Sequence, residues 1–388
     1  MNSSIAIVVI AYNRDRSLER LLLSLNKAYI TEGTPLIISI DKSNNDRVAQ
    51  VANSFNWAFG RKDVICHKEN LGLRKHILGC GKFFDEFESI IVLEDDLVVS
   101  DNFFMYATQT VEKYHDNDKI AGISLYSFGI NYQTFYSFIP QPSEYDAYFM
   151  QCAQSWGQVW MKKQWKAFEQ WYEGHCDDVF DSSYLPESIC SWSSKSWLKY
   201  HTRYCIEADK YFVYPYISLS SNCGEAGTHL SFSSPVFQRP VAEFDENYKY
   251  RLPDFTDNAV RYDGFFEAER IYSALNLKKD ELCIDLTDSK HDYGNKPYLL
   301  TTKMLNYKVI KSFGLSYTPI EMNIINRCPG EMIYLYDTNE KCSKPRGRNT
   351  IMKRILFAYL NNTDIFALIR RIRQYGLIGI LKTIFKAL

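Results

Sequence analysis

The chain reads as an α/β protein built on a mostly parallel sheet flanked by helices, and three observations carry that reading. Continuous apolar, β-branched runs recur through the first hundred residues, segments of helical periodicity separate them, and several runs end in polar or acidic residues. Ile5 to Ile10 is the first run, of the kind buried on both faces of a sheet. After a polar turn, Leu18, Leu21, Leu22 and Leu25 repeat at helical spacing, with Asp15 and Ser17 as the expected caps. Pro35 to Ile40 forms the second strand and ends in Asp41. A helix around Val48 to Phe55, a short strand at Val64 to Cys66, a helix from Leu73 to Phe84 and a strand from Ser89 to Leu93 continue the rhythm. Ligands of such sheets bind beyond the carboxyl ends of the strands. Asn13 and Arg14, Asp41, and the triple acid Glu94-Asp95-Asp96 all fall there.

Residues 120 to 235 are rich in Trp, Tyr and Ser and read as irregular strands and helices added to the same sheet. Residues 236 to 340 mix short strands with a helix near Phe265 to Leu275 and lose the βα rhythm, which makes them an accessory region. From Lys341 onward the composition changes again.

The 388 residues carry 45 Lys and Arg against 46 Asp and Glu, a net charge of −1, and 46% are hydrophobic. That balance excludes a disordered chain and a protein that coats nucleic acid with its whole surface, so no nucleic-acid partner is expected. The average hides a split. Residues 341–388 hold eleven Lys or Arg and one acid, Asp364, so this tail carries +10 and residues 1–340 carry −11. Ile365, Leu368, Ile369 and Ile372 form one helical stripe, and Leu377, Ile380, Leu381, Ile384, Phe385 and Leu388 a second. Neither stretch reaches the roughly 18 uninterrupted apolar residues of a spanning helix. A basic amphipathic tail is expected to lie in the interface of an anionic bilayer, or else to dock on the acidic body. The apolar run Ile5 to Ala11 is too short and wrongly flanked for a secretory leader. The ten cysteines contain no C-x-x-C pair and no zinc spacing, and read as buried small hydrophobes of a reducing compartment.

Three successive acids after a buried strand repel and raise one another's pKa, a cost that a divalent cation relieves. Mg²⁺ and Mn²⁺ prefer oxygen ligands, and Mg²⁺ is commonly held by one or two carboxylates together with the phosphates of a substrate. Leu93-Glu94-Asp95-Asp96-Leu97 therefore points to a nucleoside diphosphate carried on Mn²⁺ or Mg²⁺. No phosphate loop of the Gly-x-x-x-x-Gly-Lys-Ser/Thr type is present, and no Gly-x-Gly-x-x-Gly follows the first strand. Walker-type nucleotidases and dinucleotide-dependent oxidoreductases lose their support there.

Ile7 to Arg14, Ser39-Ile40-Asp41, Asn70-Leu71-Gly72-Leu73-Arg74, and Val92 to Phe104 together resemble nucleotide-sugar glycosyltransferases of the GT-A fold. The likeness is to the branch-initiating N-acetylglucosaminyltransferase of N-glycan synthesis and its bacterial relatives in surface-polysaccharide clusters. It covers residues 5 to about 127 well and thins towards 235. The resemblance implies a GT-A catalytic domain over 1–235; beyond it, loss of the βα rhythm marks 236–340 as an accessory, acceptor-side region, and charge and periodicity mark 341–388 as a membrane-associating tail. It places Asp41 at the nucleotide base, Arg14 near the base or phosphates and Arg74 at the diphosphate. Asp96 becomes the direct metal ligand, with Glu94 and Asp95 at the donor ribose and sugar and Asp95 counted among the catalytic residues. Tyr214 to His229, with Gly224 and Gly227, resembles the closing loop of the bacterial relatives and makes His229 a metal or phosphate contact. Ser155 to Trp160 resembles the acceptor-side Gly-Trp segment, with Trp156 as sugar wall, while Trp160, Trp165 and Trp171 read as core.

The implied activity is inverting transfer from a nucleotide-sugar donor, a UDP-sugar first, to a saccharide acceptor. A polyprenyl-linked acceptor of O-antigen or capsule synthesis would be met at the cytoplasmic, inner face of the bacterial plasma membrane. One departure stands out. The family's base is an acid beside a Trp, but Ser191-Trp192-Ser193-Ser194-Lys195-Ser196-Trp197 has none. Glu187 is the chosen substitute, with Asp177, Asp178 and Asp181 in the loop before it. A nucleotide-sugar or glycan-binding protein without catalysis, and a nucleotidyltransferase, are the rival readings.

Overall fold

The computed structural model describes residues 4–225, 234–256, 258–343, 345 and 376. They form two compact units, one from 1–128, 142–223 and 238–270, the other from 129–141, 224–237 and the remainder beyond 270. The sequence boundary at 235 and this division differ: 238–270 belongs to the first unit, and 129–141 leaves it.

The first unit begins with the βα rhythm. β1 (Ile5–Ala11), α1 (Asp15–Leu25), β2 (Leu36–Ile40), α2 (Arg47–Ser54), β3 (Lys62–Cys66), α3 (Leu73–Leu78) and β4 (Ser89–Glu94) follow one another, and β1 lies parallel between β2 and β4. The seven residues of β1 and five of β2 are all buried, which is why these runs carry no polar alternation. α1 starts at Asp15 itself and has no side-chain cap; Ser17 is buried inside it, and the Asp15 carboxylate accepts from Asn45 Nδ2 at 2.9 Å. The helix after Gly72 also departs from expectation. It tightens into a 3₁₀ turn at Gly79–Asp85, where the backbone of Gly81 lies so close to the Trp165 indole that a Cβ has no room.

β5 (Leu97–Val99), α4 (Phe103–Tyr114), β6 (Ile120–Ser124), β7 (Ala147–Met150), β8 (Gln158–Met161), α5 (Lys162–His175), α6 (Glu187–Ser191), α7 (Leu198–Glu207), β9 (Tyr211–Pro215), β10 (Ser220–Asn222) and β11 (Arg261–Tyr262) complete this unit. Its sheet runs β11-β7-β9-β6-β8-β4-β1-β2-β3 among the described residues. β8 is antiparallel to both β4 and β6, and β7 to β9, so the region after residue 120 extends the parallel half with mixed pairing. The apolar side chains of β1, β2, α1 and α4 share one core, in which Leu18, Leu21, Leu22 and Leu25 are fully buried.

The second unit contains α8 (Arg270–Leu275, from its second residue), β12 (Leu282–Asp285), β13 (Tyr298–Thr301), β14 (Tyr307–Phe313), α9 (Met322–Ile325) and β15 (Ile333–Lys341). Its sheet order is β12-β13-β15-β14, with Leu299, Tyr334 and Tyr336 in its small core. Of the tail from 341 onward, Lys341 closes β15 and 342, 343, 345 and 376 are described, while both amphipathic stripes lie outside the described residues; no described helix is long and apolar enough to cross a membrane. All ten cysteines are thiols, but only Cys80, Cys152, Cys205, Cys283 and Cys328 are buried, and Cys66 and Cys342 are exposed. The reading of the whole set as core hydrophobes therefore holds for half of it.

Trp160 on β8 and Trp165 on α5 stack with centroids 3.9 Å apart, which confirms both as core. Against them lies His201 of α7, completely buried among Trp160, Trp165, Phe168, Trp197 and Phe212. Neither ring nitrogen has a hydrogen-bond partner, and burial alone lowers its pKa to about 3. The native imidazole is thus neutral, whereas in the unfolded chain it gains a proton below about pH 6.5. Its effect on stability is constant above that value and becomes destabilising as pH falls towards the native one. Urea unfolding should show the wild type losing about 2 kcal/mol more than His201→Leu between pH 7 and pH 5.

Candidate functional site

The parallel registers set the carboxyl ends of three strands side by side. Ile10 of β1 pairs with Glu94 of β4, and Ala11 pairs with Ile40 of β2. The residues that follow each strand, Tyr12 to Arg14, Asp41, and Asp95 with Asp96, therefore leave the sheet at one edge.

At that edge Arg14 spans the acidic turn. Its Nη2 lies 2.5 Å from Asp95 Oδ1 and its Nη1 lies 3.3 Å from Asp96 Oδ2, while the Tyr12 backbone N–H donates to Asp95 Oδ2 at 3.2 Å. Burial pushes the Glu94 pKa well above the usual carboxylate range, with the charges of Asp96 and Asp95 adding to it. Burial also raises Asp95, to about 6, against the opposing pull of Arg14. Burial disfavours the Arg14 cation, but Asp95 and Asp96 outweigh it and hold the guanidinium pKa above its ordinary value. The turn thus pairs two of its three acids with a single cation and favours the neutral form of the third.

One atom of the turn is left over. Asp96 Oδ1 is buried and has no hydrogen-bond partner, and the same holds for Asn222 Oδ1 on β10. β10 pairs with β5 so that Asn222 faces Leu97, and the Cys223 N–H donates to the Asp96 carbonyl at 3.0 Å. Two hard oxygen donors without partners suit Mg²⁺ or Mn²⁺. No group of three or more His, Cys, Asp or Glu able to hold a metal occurs among the described residues, and an ion held on Asp96 Oδ1 would need substrate phosphates for the rest of its shell. His229 and the glycine-containing loop from 226 to 233 lie outside the described residues.

Asp41 is buried, and both of its oxygens are engaged by backbone. Oδ1 accepts from Lys42 N at 2.9 Å and Leu71 N at 2.8 Å, and Oδ2 accepts from Gly72 N at 3.0 Å. Gly72, with φ at +74°, is the residue that permits this loop to turn into α3. Beneath Asp41, Ser39 Oγ lies 2.7 Å from His76 Nε2 and 3.1 Å from His67 Nε2, and burial lowers the His76 pKa to about 4. Asp41 therefore organises the Asn70-Leu71-Gly72 loop that the sequence singled out.

Arg74 continues from that loop into an aromatic cradle. Its guanidinium stands 4.3 Å from the Tyr200 ring centroid and 5.4 Å from that of Tyr172. Nε donates to Tyr172 Oη at 2.8 Å, and Nη1 donates to the Ser194 carbonyl at 3.0 Å. Trp156, half-buried, meets Tyr126 edge to face at 4.8 Å, and its carbonyl accepts from Ser220 Oγ at 2.5 Å. Glu187 is exposed in the first turn of α6. The structure thus brings Arg14, Glu94, Asp95 and Asp96 into one cluster, and sets Arg74 among α5, α7 and the segment around Trp192. Lys199, Tyr172, Tyr200 and Asn222 were not visible as site candidates in the sequence, since no spacing separates them from ordinary helix and strand residues.

No family model matches the chain, and no curated protein does. Among solved structures it is similar to residues 1–349 of TarS from S. aureus, at a TM-score of 0.36 and 15% identity, over 54% of this chain and 57% of that one. The same TarS segment in complex with UDP-GlcNAc gives 0.34 and 16%, over 54% and 58%. The mannosyltransferase PcManGT from Pyrobaculum calidifontis, in complex with GDP-Man and Mn²⁺, gives 0.30 and 10%, over 41% and 45%. The chain spans less than two thirds of each of these chains. At these scores the functional reading rests on the residues themselves.

Replacing Asp41 by Ala removes the acceptor of the half-buried Leu71 and Gly72 amides, at a cost of about 1 kcal/mol for each bond lost. Hydrogen exchange should accelerate at those two amides ahead of β1 and β2. Unchanged protection there would refute the organising role.

Proposed function

We propose that the chain is a metal-dependent glycosyltransferase of the GT-A type that moves a sugar from a nucleoside-diphosphate donor, UDP first, to a saccharide acceptor with inversion. The observation that carries this reading is the acidic turn, where Asp96 keeps a buried oxygen without a partner beside the Arg14 cation. Such a turn at the carboxyl edge of a parallel sheet suits a diphosphate held on a divalent cation. Asp96 would hold Mn²⁺ or Mg²⁺ together with the donor phosphates, with His229 as a further contact. The ion supplies charge stabilisation to the leaving diphosphate.

The protein's own groups do the rest. Asp41 and Arg14 border the place proposed for the base and phosphates, Arg74 adds a second cation, and Glu94 and Asp95 face the donor ribose and sugar. Trp156 offers an apolar wall to the sugar. As the acceptor oxygen forms its bond to the anomeric carbon and the bond to phosphate breaks, a carboxylate takes the hydroxyl proton. Glu187 is the proposed base. Asp177, which lines a cleft with Arg74, is the second candidate. The acceptor is proposed to be lipid-linked, polyprenyl in type, for bacterial surface-polysaccharide synthesis, and reached from the cytoplasmic face through the basic tail.

Full-length protein incubated with a panel of nucleotide sugars, Mn²⁺ and polyprenyl-linked acceptors should yield product, and Asp96→Ala should lower turnover by about 100-fold or more. In the same assay the base is whichever of Glu187→Gln and Asp177→Asn depresses kcat while donor binding holds. Undiminished transfer by Asp96→Ala rejects the metal assignment. Donor binding without any product would favour a donor-binding protein, the reading to which Ser193 lends weight.

The tail gives a separate expectation. Truncation after residue 345 should release the protein from vesicles of anionic lipid and leave its binding to neutral vesicles unchanged. A truncated form that still floats with anionic vesicles removes the membrane assignment.

A further inference from the structure

A cleft of about 430 Å³ opens in the first unit, lined among others by Arg74, Asp177, Phe180, Ser194, Lys199 and Tyr200. Its two cations share a peculiarity. Lys199 is only 6% exposed, donates to the Trp192 carbonyl at 2.9 Å and stands 4.0 Å from the centroid of the Phe180 ring. Arg74 donates to the hydroxyl of Tyr172 and to the carbonyls of Ser194 and Cys176. Every one of these acceptors is neutral. The carboxylate of Asp178, also on the cleft, is held by Arg203 at 3.1 Å, and Asp177 is exposed.

Withdrawing an ammonium from water beside a guanidinium, with no carboxylate bonded to either, is unfavourable. Burial lowers the Lys199 pKa, the Cys190 thiol on the same cleft opposes that, and Arg74 lowers it again. A third cation, Arg203, shares the Phe180 ring with Lys199 and keeps a buried Nη1 without a partner. One bond to Trp192 leaves the Lys199 ammonium two donors to offer. The volume is of the size that takes a small ligand.

We propose that this cleft is an anion-binding subsite in which Lys199 and Arg74 hold a phosphate or carboxylate group carried by a substrate. The chemistry is the same for two sources, the diphosphate of the donor or an acidic group on the acceptor. Only the naming of these sources rests on the transferase reading. The anion completes the charge-assisted hydrogen bonds that the protein leaves unmade, and it neutralises the repulsion between the two cations.

The test uses the full-length chain, with inorganic phosphate and UDP as probes by calorimetric titration. Lys199→Gln should weaken phosphate binding by about ten-fold or more, and Lys199→Arg should retain it within about three-fold. Circular dichroism and thermal melts check that both variants fold. If Lys199→Gln weakens UDP in the same proportion, the subsite serves the donor diphosphate. If UDP binding is unchanged while phosphate binding falls, the subsite serves an anion on the acceptor. Phosphate binding that is absent from the wild type, equal in Lys199→Gln, or lost equally in Lys199→Arg overturns the subsite. A wild type that binds phosphate through Lys199 and yields no product with any nucleotide sugar of the panel leaves the cleft standing and removes the transferase reading.

Discussion

The pairing of one guanidinium with two neighbouring carboxylates is the constraint on which the site depends. Arg14 is supplied by the end of β1, and Asp95 and Asp96 by the end of β4, so the interaction exists only because these strands are adjacent and in register. The reverse dependence is as strong. A buried strand that ends in three acids would place like charges together at low dielectric, and Arg14 offsets enough of that repulsion for the turn to form. At Glu94 the remainder shows as a pKa raised by burial and by its two acidic neighbours. The arrangement leaves one Asp96 oxygen unused, and this residue of the balance is what gives the turn its chemistry.

A second carboxylate acts at the neighbouring strand by different means. Asp41 meets no ion partner and instead accepts three backbone N–H groups, which converts the stretch between β3 and α3 into a fixed loop. The direction of α3 follows from that loop, and with it the placement of Arg74 between Tyr172 and Tyr200. Two carboxylates at adjacent strand ends thus do different jobs, one setting charge and the other setting the path of the chain.

The parallel half of the sheet was legible because burial on both faces leaves no choice of composition: β1, β2 and β4 are almost wholly apolar, and their ends are abrupt. The acidic turn was legible for the same reason, since three acids interrupt that composition. The rest was hidden by physical causes that spacing does not record. β7 and β8 are four residues each and pair antiparallel across long sequence separations, so no local rhythm announces them. Ser17 stands where a cap belongs but is buried within α1 by packing. Lys199 has the look of any helix lysine until α7 is packed against α6 and the Phe180 loop. The donor-binding roles expected of Asp41 and Arg74 came from resemblance, whereas their observed partners came only from the packed chain.

The contact between Gly81 and the Trp165 indole sets a limit of a different sort. A hydrogen atom is the largest group that fits on the Gly81 α-carbon without displacing Trp165 from its stack on Trp160. Through that stack the 3₁₀ turn is coupled to β8 and α5, and through His201 to α7, all of it by shape alone. Between the loop that Asp41 fixes and the helices that frame the Lys199 cleft, the tolerance of the molecule is therefore measured in single methyl groups.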